Sequence, residues 1–223
     1  HFGEDLGTTP LRRRQFLDLR RGLGQTEQVG LNQRGLSSLC RALGRLDEAQ
    51  RWLDQAIATL ESIAPGPGLA MAYSMRSAGY MLTNQRRLAE QWGERAIELA
   101  KRFNEHGTIA HALNNIGSAL ADEGQPRGFE LLEQSLAIAL EHTRQAHASR
   151  AYRNASEASV RNRLFAQAEA LIVPGIDFAR AHDMDLHVVG LVGTLAQVRL
   201  MQGRLDEAQA LAAVTGGRFD PTI

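Results

Sequence analysis

A seven-residue segment that occurs twice without change is the feature that most constrains the fold of this chain. The segment GRLDEAQ spans residues 44–50 and returns at 203–209, which is 159 residues further along. Three weaker copies lie between them, so that equivalent positions fall at offsets of 0, 40, 79, 119 and 159 residues. Four nearly equal steps predict a tandem repeat of about 40 residues, in which neighbouring units stack on one another.

Each repeat unit carries the hydrophobic spacing of two helices. In residues 49–60, large apolar residues and alanines recur at intervals of three and four, which predicts one apolar helix face. Residues 112–120 have the same spacing, and Gly124 follows them where a C-terminal capping glycine is expected. Sustained alternation and β-branched runs, which favour strands, are absent from the sequence. We therefore predict an all-α fold, a right-handed superhelical solenoid of antiparallel helix pairs.

We expect eleven helices in a single helical-repeat domain that covers residues 1–223. A leading helix at about 10–21 represents a partial unit, and five units follow. Because proline inside a helix costs about 3 kcal/mol, Pro174 followed by Gly175 predicts a kink or break in the fourth unit. The helix pairs are predicted at 28–43 and 46–63, 68–83 and 86–103, 108–123 and 128–142, 146–161 and 165–181, and 186–202 and 205–214.

Composition limits the classes of function. The 223 residues include 25 basic and 25 acidic side chains, so the formal net charge is zero. Proteins that bind a nucleic-acid backbone usually carry a net positive charge. No stretch approaches the roughly 20 apolar residues of a membrane span, and one cysteine forms no internal disulfide framework. We expect a soluble, cytoplasmic protein without direct nucleic-acid or membrane contacts. Because the chain opens at His1 and not at methionine, we also expect a piece of a longer protein.

The repeat unit resembles the tetratricopeptide repeat. Residues 115–124, NIGSALADEG, precede a helix with alanine and large apolar residues at fixed steps, as in that family's pattern N-L-G-x-A-x-x-x-x-G, then A, an aromatic and A. Units of about 40 residues, instead of about 34, look like the helical-repeat region of large ATP-binding LuxR-type transcriptional regulators and related signal-transduction ATPases. The likeness covers roughly residues 30–212 and is carried by segments 92–100, 110–117, 131–139, 151–154 and 203–208.

This resemblance implies a role in signal transduction. Such regulators consist of an N-terminal ATPase, a repeat region that senses effectors or binds partners, and a C-terminal helix-turn-helix DNA-binding domain. A phosphate-binding loop needs a Gly-Lys pair, and the only lysine of this chain, Lys101, follows Ala100. We therefore expect a non-catalytic region without a cofactor of its own. Its expected partner is a protein or peptide, or a small anionic effector, and the adjoining ATPase and DNA-binding domains belong to the full-length protein.

The concave surface of the solenoid is the predicted binding site. The first helix of each unit lines the inside of such a fold, and arginines there present planar forks suited to carboxylates or phosphates. Arginines that are solvated or paired with neighbouring acids are the alternative interpretation. The tetratricopeptide register implies groove positions Arg34, Ser38 and Arg41 in the first unit, His111, Asn114, Ser118, Ala121 and Asp122 in the third, and Arg150, Arg153, Glu157, Val160 and Arg161 in the fourth.

Two other functions stay open at the level of the sequence. One is a free-standing tetratricopeptide adaptor that binds an acidic peptide. The other is an enzyme, with a hydrolase or metal site among His106, His111 and His147. Six of the seven histidines form pairs, but the members of each pair lie five residues apart, whereas two ligands on one helix face lie three or four apart. We therefore expect neutral histidines, or histidines that interact with the last carbonyls of a helix.

Other conspicuous residues have structural explanations. Cys40 is expected to be buried and inert, and Trp52 and Trp92 share one repeat position in the core. The acidic pairs at 47–48 and 206–207 begin helices, where they complement the helix dipole. An incomplete terminal unit exposes apolar surface, which is compatible with a homodimer contact at either end.

Overall fold

A computed structural model describes residues 25–216, and this part of the chain consists of helices joined by short turns. Ten helices follow one another in five antiparallel pairs, which confirms the predicted all-α solenoid, and every predicted bound lies within two residues of the observed one. The helix expected at 10–21 lies outside the described residues. The helices are α1 (Thr26–Ala42), α2 (Leu46–Glu61), α3 (Pro67–Leu82), α4 (Arg86–Lys101), α5 (His106–Ala121), α6 (Pro126–Glu141), α7 (Gln145–Arg161), α8 (Phe165–Ala181), α9 (Asp185–Met201) and α10 (Leu205–Gly216).

A residue in the left-handed backbone region ends the first helix of every unit. The next residue then donates its backbone N–H to a carbonyl five residues earlier, as Arg45 does to Cys40 over 2.8 Å. This bond satisfies a carbonyl at the open helix end and turns the chain back on itself. The repeat of about 40 residues is therefore visible in the backbone as well as in the side chains. The five left-handed residues are Gly44, Asn84, Gly124, Arg163 and Gly203.

Small residues let the helices of a pair approach closely. A Cβ atom on Gly128 would lie 2.3 Å from the backbone nitrogen of Ala121 and 2.8 Å from the carbonyl oxygen of Gly117. Nearby, the buried hydroxyl of Ser135 donates to the carbonyl of Ala110 over 2.7 Å. A larger residue at Gly128 would force α5 and α6 apart, because backbone atoms fill the space that its side chain needs.

The core forms between successive layers of helices. Cys40 is fully buried, as predicted, and Asp47 and Glu48 lie in the first turn of α2. Trp52 and Trp92 are only partly buried, and each packs at the margin of a core cluster. None of the helices described has the length and apolar character that a membrane crossing requires.

The sequence predicted a kink or a break at Pro174, and the break is wrong, since Pro174 lies inside the continuous helix α8. Proline has no N–H for the carbonyl of Ala170, but both residues are exposed, and solvent can bond to that carbonyl. Gly175 faces the core, where a Cβ atom would come within 3.0 Å of the Tyr152 Cβ. Packing of α8 against its neighbours therefore keeps the helix intact despite the local cost of the proline.

Candidate functional site: the concave groove

The inner face of the solenoid encloses a cavity of about 570 Å³, which we call the concave groove. The first helices of four consecutive units, α1, α3, α5 and α7, line it. Cationic side chains come from α1 and α7, and an apolar wall comes from α3. The lining residues that carry the argument are Arg41, Met75, Ala78, Met81, Leu82, His111, Ser118, Asp122, Arg150, Arg153, Asn154, Glu157 and Arg161.

Most of the residues implied by the tetratricopeptide register lie at this groove, although whether they bind a partner stays a prediction. The positions predicted at the groove and found there are Ser38, Arg41, His111, Ser118, Asp122, Arg150, Arg153, Glu157 and Arg161.

Four predicted groove residues do not line the cavity, and three of them are packed beneath it. Asn114, Ala121 and Val160 are at most 2% exposed, because their helix positions turn toward neighbouring helices. Asn114 there accepts a hydrogen bond from Nδ2 of Asn154 over 2.6 Å. The fourth, Arg34, is a partly buried residue of α1 close enough to influence His111.

A hydrogen-bond network at the centre of the groove positions Arg150. Its guanidinium donates to Oδ1 of Asn115, whose Nδ2 in turn donates to the backbone carbonyl of Ser74 over 2.9 Å. The chain of bonds therefore runs from α7 through α5 to α3 and fixes the arginine against three units. Burial, and to a smaller extent the nearby charges of Arg153 and Arg41, together lower the pKa of Arg150 to about 10.

His111 contributes a neutral ring to the same network. Its Nδ1 lies 2.6 Å from the hydroxyl oxygen of Ser74. Burial lowers the pKa of His111 well below its usual value, and the positive charges of Arg150, Arg34 and Arg41 act in the same direction. The ring is uncharged at neutral pH as a result, so it adds a polar surface but no additional cation to the groove.

Three arginines around this ring lack a carboxylate partner. Within residues 25–216, Arg34, Arg41 and Arg150 form no ion pair, and burial lowers the pKa of each. Burying an uncompensated charge is unfavourable unless it is paired or hydrogen-bonded. Asn115 supplies a hydrogen-bond acceptor to Arg150 but no charge. The centre of the groove is therefore positively charged and suited to an anion.

The remaining groove arginines are partly neutralised. Nε of Arg153 lies 3.7 Å from a carboxylate oxygen of Glu157, and Nε of Arg161 donates to Asp122 over 2.9 Å. The alternative interpretation made from the sequence, pairing with neighbouring acids, describes these two arginines. The arginines toward the end of α7 are paired with acids, whereas those near His111 are not.

Arg41 reaches over α3 at Gly79. Its Nη2 lies 3.7 Å from the point where a Cβ atom on Gly79 would stand. The guanidinium of α1 is thereby held above the second unit, near enough to Arg150 to lower the pKa of that residue. Sequence reasoning missed this contribution of α3, since the groove register was applied only to the first, third and fourth units.

The histidine contacts join residues of different sequence pairs, one contact within the third unit and one between the third and fourth units. His106 stacks on His142 with ring centroids 3.6 Å apart, and the rings of His111 and His147 meet edge to face at 5.6 Å. Nδ1 of His182 lies 2.8 Å from the carbonyl oxygen of Phe178, the helix-end interaction that the sequence predicted. Among the described residues, no three His, Cys, Asp or Glu side chains are grouped so that they could hold a metal ion.

Comparison with known proteins identifies the fold. No protein-family model matches the chain, and no curated protein matches its sequence. BtubC (BKLC) from P. vanneervenii superposes with a TM-score of 0.66 at 13% identity, over 96% of this chain and 94% of that one. The apo form of RapI gives 0.62 at 14% identity, over 92% of this chain and 57% of that one.

A third solved structure is explicitly a repeat protein. A Podospora anserina putative kinesin light chain with nearly identical TPR-like repeats gives a TM-score of 0.60 at 19% identity, over 82% of this chain and 91% of that one. The chain has a tetratricopeptide-like fold. At these identities the likeness is one of fold alone.

Proposed function

We propose that this chain is a non-catalytic docking region that holds an acidic peptide segment of a protein partner in its concave groove. The observation that carries the proposal is that two arginines lining the groove, Arg41 and Arg150, have no carboxylate partner among the described residues, and Arg34 lies near them in the same condition. A carboxylate from a partner supplies the missing negative charge, and the planar guanidinium binds it through two parallel hydrogen bonds. Such charge-assisted bonds contribute about 1.5–3 kcal/mol each in partly buried sites.

The shape of the groove supports an extended ligand. Four successive units contribute side chains, so a bound peptide contacts several repeats at once. Extended concave surfaces are the usual binding surfaces of helical-repeat proteins. A peptide is therefore favoured over a small anionic effector, although the cavity volume also lies in the range of small-molecule sites.

We place this docking region in a larger bacterial regulator of the LuxR type, where it transmits partner binding to an ATPase. The support is the length of the repeat unit and the segment resemblance described above. Sequencing the gene on both sides of the chain tests this placement. A Gly-Lys phosphate loop upstream and a helix-turn-helix downstream are expected, whereas start and stop codons that closely flank these residues would leave a free-standing adaptor.

Charge reversal in the groove tests the docking function itself. We expect Arg150→Glu with Arg153→Glu to weaken binding of a fluorescein-labelled, glutamate-rich decapeptide at least tenfold in fluorescence anisotropy. The matched control is Arg51→Glu with Arg87→Glu, which changes the net charge equally at two exposed positions on the outer helices α2 and α4.

Circular dichroism of both variants must match the parent protein. Equal affinity of the two double variants, or no binding of acidic peptides by the parent protein, would overturn the proposal. Competition by free glutamate at micromolar concentration would indicate a small effector in place of a peptide.

A further inference from the structure

The wall that α3 contributes to the groove is more apolar than the surfaces that the other lining helices contribute. Met75, Ala78, Met81 and Leu82 face the cavity from this helix. The residues at the repeat position of Ala78 are Ser38 in the first unit, Ser118 in the third and Glu157 in the fourth, and all three are polar. The structure thus has a single apolar position in this series, and it lies in the second unit.

At the C-terminal end of α3, an apolar residue again lies where the third and fourth units have charged residues. Leu82 is 62% exposed. Its counterparts in the third and fourth units are Asp122 and Arg161, which pair with each other. An exposed leucine replaces an ion pair at this point, so the repeat carries an apolar surface where its neighbours satisfy polar groups internally.

Cationic groups border this apolar wall on two sides. Arg41 reaches over Gly79, which is one residue from Ala78 on α3, and Arg150 lies across the cavity on α7. The two guanidinium groups are close enough for the charge of Arg41 to act on Arg150. A ligand that fills the groove therefore meets apolar side chains and positive charges within one short segment.

We infer that the groove selects an acidic peptide segment with a large apolar side chain, which packs against Met75, Met81 and Leu82 while flanking carboxylates meet Arg41 and Arg150. This inference rests on the proposed docking function and names the kind of segment recognised. Methionine side chains are flexible and polarisable, so the wall adapts to leucine, methionine or phenylalanine. Removing such a side chain from water adds affinity that charge pairing alone does not provide.

Three labelled decapeptides separate this inference from the docking function on which it rests. The first has a central leucine flanked by glutamates, the second has serine in place of the leucine, and the third keeps the leucine but has glutamines in place of the glutamates. For the parent protein we expect the first peptide to bind about tenfold or more tightly than either of the others.

Leu82→Ser is the protein variant that tests the wall. Because Leu82 is largely exposed, its replacement leaves the core intact, and we expect the preference for leucine over serine in the peptide to fall to about threefold or less. The matched control is Leu186→Ser, at a leucine that is 88% exposed and lies outside the groove, where the preference stays unchanged.

The outcomes are distinct. Equal binding of the leucine and serine peptides by the parent protein would overturn the inference while the docking function stands. If Leu82→Ser leaves the preference for the leucine peptide unchanged, the inference is also overturned, because the peptide leucine would then not bind against the apolar wall. If the glutamine peptide binds as tightly as the acidic one, the docking function itself fails.

Discussion

Arginine has opposite surroundings in two regions of this molecule. One region is an aromatic clamp formed by Glu61, Tyr73, Trp92 and Arg95, which joins α2, α3 and α4. The other is the concave groove around Arg150. In the clamp Arg95, the Tyr73 hydroxyl and Glu61 are partners of one another, whereas in the groove Arg41 and Arg150 have no carboxylate partner among the described residues. The difference separates residues that stabilise the solenoid from residues available to a ligand.

The clamp is satisfied internally. The guanidinium carbon of Arg95 lies 4.4 Å from the ring centroids of both Tyr73 and Trp92, and its Nη2 donates to the Tyr73 hydroxyl over 3.1 Å. That hydroxyl donates to Glu61 over 2.7 Å. The pKa of Tyr73 is raised to about 12, mainly by burial and secondly by the hydrogen bond to Glu61. The clamp therefore holds the first and second units together without any need for a partner.

The largest expected effect comes from removing the centre of the clamp. Trp92→Ala deletes the edge-to-face contact with Tyr73, whose ring centroid lies 5.3 Å away, and the stacking surface under Arg95. We expect the free energy of unfolding to fall by about 3 kcal/mol in urea denaturation. Affinity for an acidic peptide should stay within twofold below the unfolding transition. A stability loss under about 1 kcal/mol would show that the clamp does not hold the units together.

Replacing Arg150 by methionine should have the opposite outcome, a loss of affinity without a loss of stability. Because Arg150→Met removes a buried cation that has no carboxylate partner within residues 25–216, we expect the free energy of unfolding to be unchanged or to rise by about 1 kcal/mol. Affinity for an acidic peptide should fall about tenfold, or about 1.4 kcal/mol. Isothermal titration calorimetry and urea denaturation measure the two quantities.

The matched control for Arg150→Met lies in the clamp. Arg95→Met removes a guanidinium stacked on two rings, and we expect it to lower the free energy of unfolding by about 1 kcal/mol without changing affinity. Were Arg150→Met instead to destabilise the protein by more than about 2 kcal/mol, the arginine would be structural and the contrast between the two regions would disappear.

Acidification should lower the free energy of unfolding through protonation of His111. Its pKa in the folded protein lies well below 6.5, so the unfolded chain binds a proton first and stability falls as the pH drops below about 6.5. Burial lowers the pKa of His147 as well, with the same sign. We expect His111→Gln to remove about 1 kcal/mol of the stability lost between pH 7 and pH 5.5. An unchanged slope of stability against pH in this variant would contradict the assigned neutral ring.

The smallest expected effect concerns the access of Arg41 to the groove. The Cβ position of residue 79 lies 3.7 Å from Nη2 of Arg41, and we expect the leucine atoms beyond Cβ in Gly79→Leu to displace the guanidinium. Helix stability should rise slightly, since glycine is unfavourable inside a helix, while affinity for an acidic peptide falls about threefold. Gly193→Leu is the control, because its Cβ position has no neighbour within 4 Å. Equal affinities of the two variants would mean that Arg41 is not part of the binding surface.

The sequence predicts the helices well because their determinants are local. Apolar spacing and capping residues repeat every 40 residues, and the helix bounds follow from them. The break expected at Pro174 is absent because packing around Gly175 outweighs the local cost of proline, and a local rule does not include that packing. The repeat pattern likewise contains no information on which side of its helix Asn114 lies relative to a neighbouring unit.

The groove is less predictable than the helices that line it. The register places Arg150 and Arg153 on the inner face, but it does not show that Glu157 neutralises the second arginine while the first has only Asn115. This distinction depends on contacts between units. The α3 wall was missed for a different reason, since apolar residues such as Met81 are indistinguishable from core residues in a single sequence.

Titration of the arginine side-chain signals with an acidic peptide tests the central claim most directly. In nuclear magnetic resonance spectra of the ¹⁵N-labelled protein, each Nε–H group reports the surroundings of its own guanidinium. Variants Arg41→Met, Arg150→Met and Arg95→Met assign the three signals. We predict that the Arg41 and Arg150 signals shift with the glutamate-rich, leucine-containing peptide while the Arg95 signal stays in place. Shifts confined to Arg95, or no shift at either groove arginine while the peptide binds, would contradict this account.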